Sequence, residues 1–155
     1  MTGRQDDQNA THYRTATVGG ALYVMDFGAP IGFRLVLQHP EQLTALVTQN
    51  APLDPEEPRG WWATPGLLYG IRGNGPTFEA MQQFLRDRQP PALVAAGVND
   101  EISPGEGQRQ ILTDLPGAEF HPLDTGHFAL EDQAPEIARL MRDFLGRALA
   151  PGLCS

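Results

Sequence analysis

The chain has 155 residues, 41% of them hydrophobic and 19% charged, with 17 glycines and 14 prolines, which suits one domain with a single core and marked punctuation between its elements. Lys and Arg number 11 against 19 Asp and Glu, a net charge of −8, and no basic run interleaves with aromatics, so nucleic acid is excluded as a partner. The one cysteine, Cys154, allows neither a disulfide framework nor a Cys/His zinc pattern and reads as an incidental thiol.

Residues 1–16 read as a loose polar leader without an apolar signal core, and no stretch approaches the about 18 apolar residues of a membrane span. A soluble, cytoplasmic protein is expected, with one domain over 17–155. Four short apolar runs predict strands: Leu22 to Met25, Leu43 to Thr48, Ala92 to Gly97 and Ala118 to Leu123. Runs of this kind suit a parallel sheet covered on both faces. Helices are predicted between them over Ile31 to Gln38, Phe78 to Arg88 with Thr77 as N-cap, and Glu106 to Leu115. A last helix from Pro135 to Leu149 lines up Ile137, Leu140, Met141, Phe144, Leu145 and Leu149 on one face, with Pro135 in its first turn. Strand and helix alternate, so the expected class is α/β with right-handed crossovers. The stretch from Ala51 to Pro76, rich in proline and glycine around a Trp pair, breaks the alternation and reads as an insertion, either a loop or a small lid.

Ligands of open α/β sheets bind beyond the carboxyl ends of the strands. Three ionisable residues stand just past those ends: Asp26 after the first strand, Asp100 after the third, and His127 after the fourth. Asp26 alone could be a helix cap. Asp100 has a rival in Asp124, and Asn99-Asp100 could be only a turn. Among the histidines, His39 precedes a proline at a helix end, His121 falls within a strand and His12 lies in the leader, which leaves His127.

The order acid, acid, histidine, with "VMDFGAPIG" at the first position and "DTGHFALED" at the last, resembles the nucleophile elbow and histidine loop of the α/β-hydrolase fold. Asp26 stands where an esterase carries Ser, and Gly28 stands where the turn is expected to leave little room for a side chain. An Asp nucleophile is similar to the epoxide hydrolase and haloalkane dehalogenase branch. The resemblance spans about Leu22 to Leu149 and implies a partial α/β-hydrolase fold with a mainly parallel sheet of about four strands. It also implies a hydrolase acting on a small epoxide or alkyl halide-like substrate. In that reading Asp26 attacks carbon to form an alkyl ester, and His127, oriented by Asp100, activates the water that hydrolyses it. The backbone N–H of Phe27 would serve as an oxyanion donor. No metal or organic cofactor is required.

The chain departs from that branch in three ways. It resembles only the C-terminal half of the usual core, so the loop that supplies the second oxyanion N–H has no match, and Gly19-Gly20 is the available substitute. The usual cap is reduced to the 51–76 region, where Trp61, Trp62 and Tyr69 could line a substrate pocket or the Trp pair could be a local hydrophobic anchor. Phe27 replaces the halide-holding Trp that dehalogenases place after the nucleophile, which argues against dehalogenation. The first strand becomes an open apolar edge, which predicts a homodimer or a complementing chain. The rival to an enzyme is a non-catalytic truncated remnant acting as a binding or assembly module. A third reading is an esterase-like ancestor in which Asp has replaced Ser.

Overall fold

The computed structural model describes residues 19–26, 28–51 and 75–150. The leader at 1–16, Phe27, most of the 51–76 insertion with Trp61, Trp62 and Tyr69, and Cys154 lie outside the described residues.

Strand β1 (Gly20–Met25) leads into helix α1 (Gly28–Gln38). A short turn at Pro40–Gln42 then feeds β2 (Leu43–Gln49). After the insertion come α2 (Gly75–Arg88) and β3 (Ala92–Gly97). Two short helices follow, α3 (Gly105–Arg109) and α4 (Ile111–Asp114), before β4 (Glu119–Leu123). The chain closes with the single turn α5 (Ala129–Asp132) and the long α6 (Ala134–Ala148).

The four strands form one sheet in the order β1-β2-β3-β4, every pair parallel. Consecutive strands are therefore neighbours, and right-handed crossovers between them must all pass over the same face. That face carries α1, α2 and α4: Val24, Leu46, Val94 and Ala96 pack against Phe33 and Val36, Met81 and Leu85, and Ile111. Helix α6 follows the last strand, is not a crossover, and is free to cover the other face. There Ala45, Val47, Leu93, Ala95 and Leu123 meet Ile137, Leu140 and Phe144. All six residues of β3 are buried, as a strand covered on both faces requires. Burial of each large side chain in these two clusters stabilises the domain by about 1.5 to 3 kcal/mol.

Beside β4, Arg147 on α6 donates two bonds to the Glu119 carboxylate at 2.6 and 2.8 Å. That pairing holds the Glu119 carboxyl below its usual range despite some opposition from desolvation, with His121 adding to the lowering.

The expected α/β class and layered sheet match the structure, while several boundaries move. Helix α1 starts at Gly28 rather than Ile31, so it begins almost directly after Asp26. Helix α2 starts at Gly75, which places Thr77 inside the helix and not at its cap. The segment expected as one helix over Glu106 to Leu115 is two pieces, α3 and α4, because Gln110, though helical in its backbone angles, bonds its N–H to Gly107 O three residues back and breaks the four-residue ladder. Pro135 does occupy the first turn of α6.

On the outer side of β1 no described strand is paired; its ladder runs to β2 alone. Tyr23, on the α6 side of the sheet, is 39% exposed, and its hydroxyl donates to Gln49 Oε1 at 2.6 Å. Among the described residues no helix is long and apolar enough to cross a membrane.

Candidate active site

The carboxyl ends of the strands meet along one rim, and the three residues singled out by sequence are brought together there. Asp26 follows β1 in a left-handed conformation, with φ of 45°. Asp is among the few non-glycine residues that adopt this region readily, and such backbone is concentrated at functional turns. The Ala29 amide is satisfied by the Asp26 backbone carbonyl at 3.0 Å, so that N–H does not depend on the carboxylate as a cap. The Asp26 side chain is partly accessible, at 28%, and its Oδ1 lies 3.7 Å from Nε2 of His127.

His127 sits between β4 and α5 with its side chain 8% exposed. Its Nδ1 lies 3.0 Å from Oδ2 of Asp100. The Asp100 carboxylate is fully buried and is surrounded by N–H groups. Its Oδ1 accepts the backbone amides of Ile102 at 2.8 Å and Ser103 at 2.9 Å, and its Oδ2 accepts Asn50 Nδ2 at 2.7 Å. An ionised carboxylate can only accept, so Nδ1 of His127 is the donor, and in the neutral ring Nε2 carries the lone pair turned toward Asp26. Two acceptors then face one another at 3.7 Å, beyond hydrogen-bond range. A base in this position is suited to taking a proton from water rather than from the Asp26 carboxylate. Phe128 packs edge-on against the imidazole, ring centres 5.1 Å apart at 80°.

The rival residues are elsewhere. Asp124 is exposed and accepts Asn99 Nδ2 at 3.0 Å. His121 lies 3.5 Å from Glu119, and His39 is an exposed residue 3.9 Å from Glu41. The expected oxyanion donor, the N–H of Phe27, lies outside the described residues, as does the expected pocket wall of Trp61, Trp62 and Tyr69.

One expectation is corrected. Among the described residues a β-carbon on Gly28 would meet nothing within 4 Å, so nothing described there calls for glycine. The crowded position is Gly32, one helical turn on, where a β-carbon would fall 2.5 Å from Val24 Cγ1. Its absence is what lets α1 lie close on β1.

Two residues of the site were missed from sequence. Asn50, after β2, is buried and has a left-handed φ of 43°; the sole hint was an Asn between an apolar run and a proline. Gly97 ends β3 where a β-carbon would lie 2.4 Å from Gly126 O and 2.9 Å from Thr125 O, so the strand must end in glycine for the histidine loop to cross it. No local sequence signal marks that crossing.

No known protein-family profile matches the chain. By structure, the chain is similar to a thermophilic esterase from Thermogutta terrifontis, with a TM-score of 0.61, 18% identity, and coverage of 83% of this chain and 65% of that one. The enol-lactonase from Burkholderia xenovorans gives a TM-score of 0.58 at 18% identity, covering 83% of this chain and 66% of that one. The described residues hold part of an α/β-hydrolase fold. By sequence, the chain is 27% identical over 182 residues to the Saccharomyces cerevisiae protein named "Uncharacterized hydrolase YNR064C", a match covering 76% of this chain. The chain spans 63% of that yeast protein, less than two thirds of its length.

Proposed function

We propose that the protein is an α/β-hydrolase-type hydrolase in which Asp26 is the nucleophile, His127 the base and Asp100 the acid that orients it, acting on a small epoxide or alkyl halide-like substrate. The observation that supports this reading is the placement of one imidazole between two carboxylates, 3.0 Å from the buried Asp100 and 3.7 Å from the accessible Asp26. The yeast relative's name as a hydrolase points the same way.

In the first step a carboxylate oxygen of Asp26 attacks the electrophilic carbon. An ester C–O bond forms as the bond to the leaving halide or epoxide oxygen breaks, and the electron pair departs with it; a halide leaves as the anion, whereas an epoxide alkoxide takes a proton from solvent, balanced when the Asp26 carboxyl regenerated in the second step returns one. In the second step Nε2 of His127 takes a proton from water while its Nδ1–H stays on Asp100. The hydroxide adds to the Asp26 carbonyl carbon, and collapse of that adduct breaks the bond to the alkoxide, which leaves as an alcohol after protonation by the imidazolium. The left-handed turn at Asp26 carries the carboxylate out of the sheet edge, where a substrate carbon can reach it. The Phe27 N–H is the expected oxyanion donor for the second step.

Asp at the elbow suits attack on alkyl carbon better than the acyl transfer for which serine is used, so the esterase and lactonase activities named for the structural neighbours are not carried over. The alternative is a non-catalytic binding or assembly module. Incubation with styrene oxide, 1-bromobutane or p-nitrophenyl acetate, followed by intact mass measurement, separates the two. The wild type is expected to turn over at least one alkylating probe. The Asp26→Asn variant should show no mass increase, whereas His127→Ala should accumulate the alkyl-enzyme because only the second step needs the base. No adduct in His127→Ala with any probe overturns the catalytic reading. The association expected at the open edge of β1 belongs to the same proposal, and a monodisperse monomer in sedimentation would remove it.

A further inference from the structure

We infer that Asn50 is a positioning residue of this site, holding the acid and the histidine loop in register through one amide nitrogen. Its Nδ2 donates to Asp100 Oδ2 at 2.7 Å and to the Gly126 carbonyl at 3.1 Å. Both partners accept only, so both N–H bonds of the amide are used and the nitrogen's orientation is fixed. Asp100 Oδ2 is the same oxygen that takes the His127 Nδ1–H, and Gly126 immediately precedes His127. The amide therefore ties the acceptor of the acid–histidine bond to the backbone that carries its donor. This deepens the role proposed for Asp100 and His127, but the geometry exists whether or not the site is catalytic.

Asn50 is a costly residue to keep at this position for packing alone. It is 0% exposed, its Oδ1 has no hydrogen-bond partner among the described residues, and a buried acceptor without a donor opposes folding. Its φ of 43° is a conformation that Asn and Asp tolerate better than most side chains. Its backbone N–H is bonded to Ala95 O at 3.3 Å, which fixes its Cα beside the end of β3. Gly97 completes the arrangement, since a β-carbon there would lie 2.8 Å from Asn50 Nδ2 and displace it. The two donated bonds are the reason a polar side chain stands here.

The test needs no substrate. A buried imidazole N–H held on a carboxylate gives a low-field proton resonance, assigned to His127 by its loss in His127→Ala. Asn50→Gly, which accepts the left-handed backbone, and Asn50→Ala, which keeps a β-carbon but removes both donated bonds, are compared with the wild-type full-length chain. Both should keep the wild-type amide spectrum away from the site, while the His127 Nδ1–H resonance moves upfield and exchanges with water about tenfold faster, as loss of one supporting hydrogen bond predicts. Asn99→Ala is the control, because Asn99 braces the same rim through Asp124 and should leave the resonance unmoved. The inference is overturned if the resonance is absent from the wild type, unchanged in both Asn50 variants, or equally shifted by Asn99→Ala. A shifted resonance together with no adduct from any alkylating probe would keep Asn50's positioning role and discard the hydrolase reading.

Discussion

Gly97 leaves the space through which Gly126 passes: a β-carbon on the first would stand 2.4 Å from the carbonyl oxygen of the second. Both the strand end and the histidine loop are backbone at this contact, so neither can rotate away. Gly97→Ala must push the loop outward and lengthen the His127–Asp100 bond. The expected cost is about 1 to 3 kcal/mol in stability, as for other overpacked sites, and about 10²-fold in turnover, as for small displacements of catalytic groups. Denaturant melts and probe turnover measure the two, and unchanged turnover would show that the loop has slack the geometry does not reveal.

Asp100→Asn tests the acid through its hydrogen bonds. Four N–H donors converge on the carboxylate, two on each oxygen, and an asparagine must turn its NH2 toward one pair. Facing the Oδ2 side, it would drive His127 to accept at Nδ1 and carry its proton on Nε2, where it can no longer act as base. On the proposed mechanism, hydrolysis of the alkyl-enzyme should then fall about 10⁴-fold, the scale known for a misset histidine tautomer, while adduct formation continues. Stability should drop by about 1 to 3 kcal/mol because the Asn50 donor loses its acceptor. Rapid-mix mass measurement resolves the steps; equal loss in both would argue that Asp100 also shapes the nucleophile.

The fold and the three ionisable residues were legible because they obey local rules. The apolar run of β3 marks both of its boundaries, and Asp26, Asp100 and His127 are recognisable by their places just past the carboxyl ends of the strands. The residues that escaped sequence reasoning depend on segments distant in the chain passing through one another's space. Asn50 lies at the border of the proline-rich insertion and looks like part of it, and its partners are 50 and 76 residues away. Gly97 looks like a strand terminator. The crowding expected at Gly28 belongs to Gly32, because an elbow motif fixes residue spacing but not where the helix leans on its strand.

That difference is measurable with two alanines. At Gly32 the new β-carbon would fall 2.5 Å from Val24 Cγ1 and 3.2 Å from Leu22 Cδ2, forcing α1 off β1. A loss of about 1 to 3 kcal/mol is expected, with turnover reduced because α1 follows directly on the Asp26 turn. Gly28→Ala meets no described atom and gains helix propensity, so its stability should be unchanged or higher by up to about 1 kcal/mol. Urea melts of the two variants give the comparison, and equal destabilisation would return the crowding to Gly28.

Tyr23 provides a pH signature of the β1–β2 pair. Burial pushes its phenol above the ordinary value of 10.0, disfavouring the charged form in the folded state. The folded chain therefore holds the proton more tightly than the unfolded one. This contribution to stability is complete below the unfolded phenol's pKa and is lost as pH rises from there through the folded pKa. Because 39% of the residue is exposed, the effect is expected to be modest. As pH rises above about 10, the wild type should lose more stability than Tyr23→Phe. The variant should also start lower, by about 1 kcal/mol, since Gln49 Oε1 loses its donor and Gln49 Nε2 already has no partner among the described residues. Parallel stability curves for the two proteins across that range would show that the phenol ionises no differently in the folded chain than in the unfolded one.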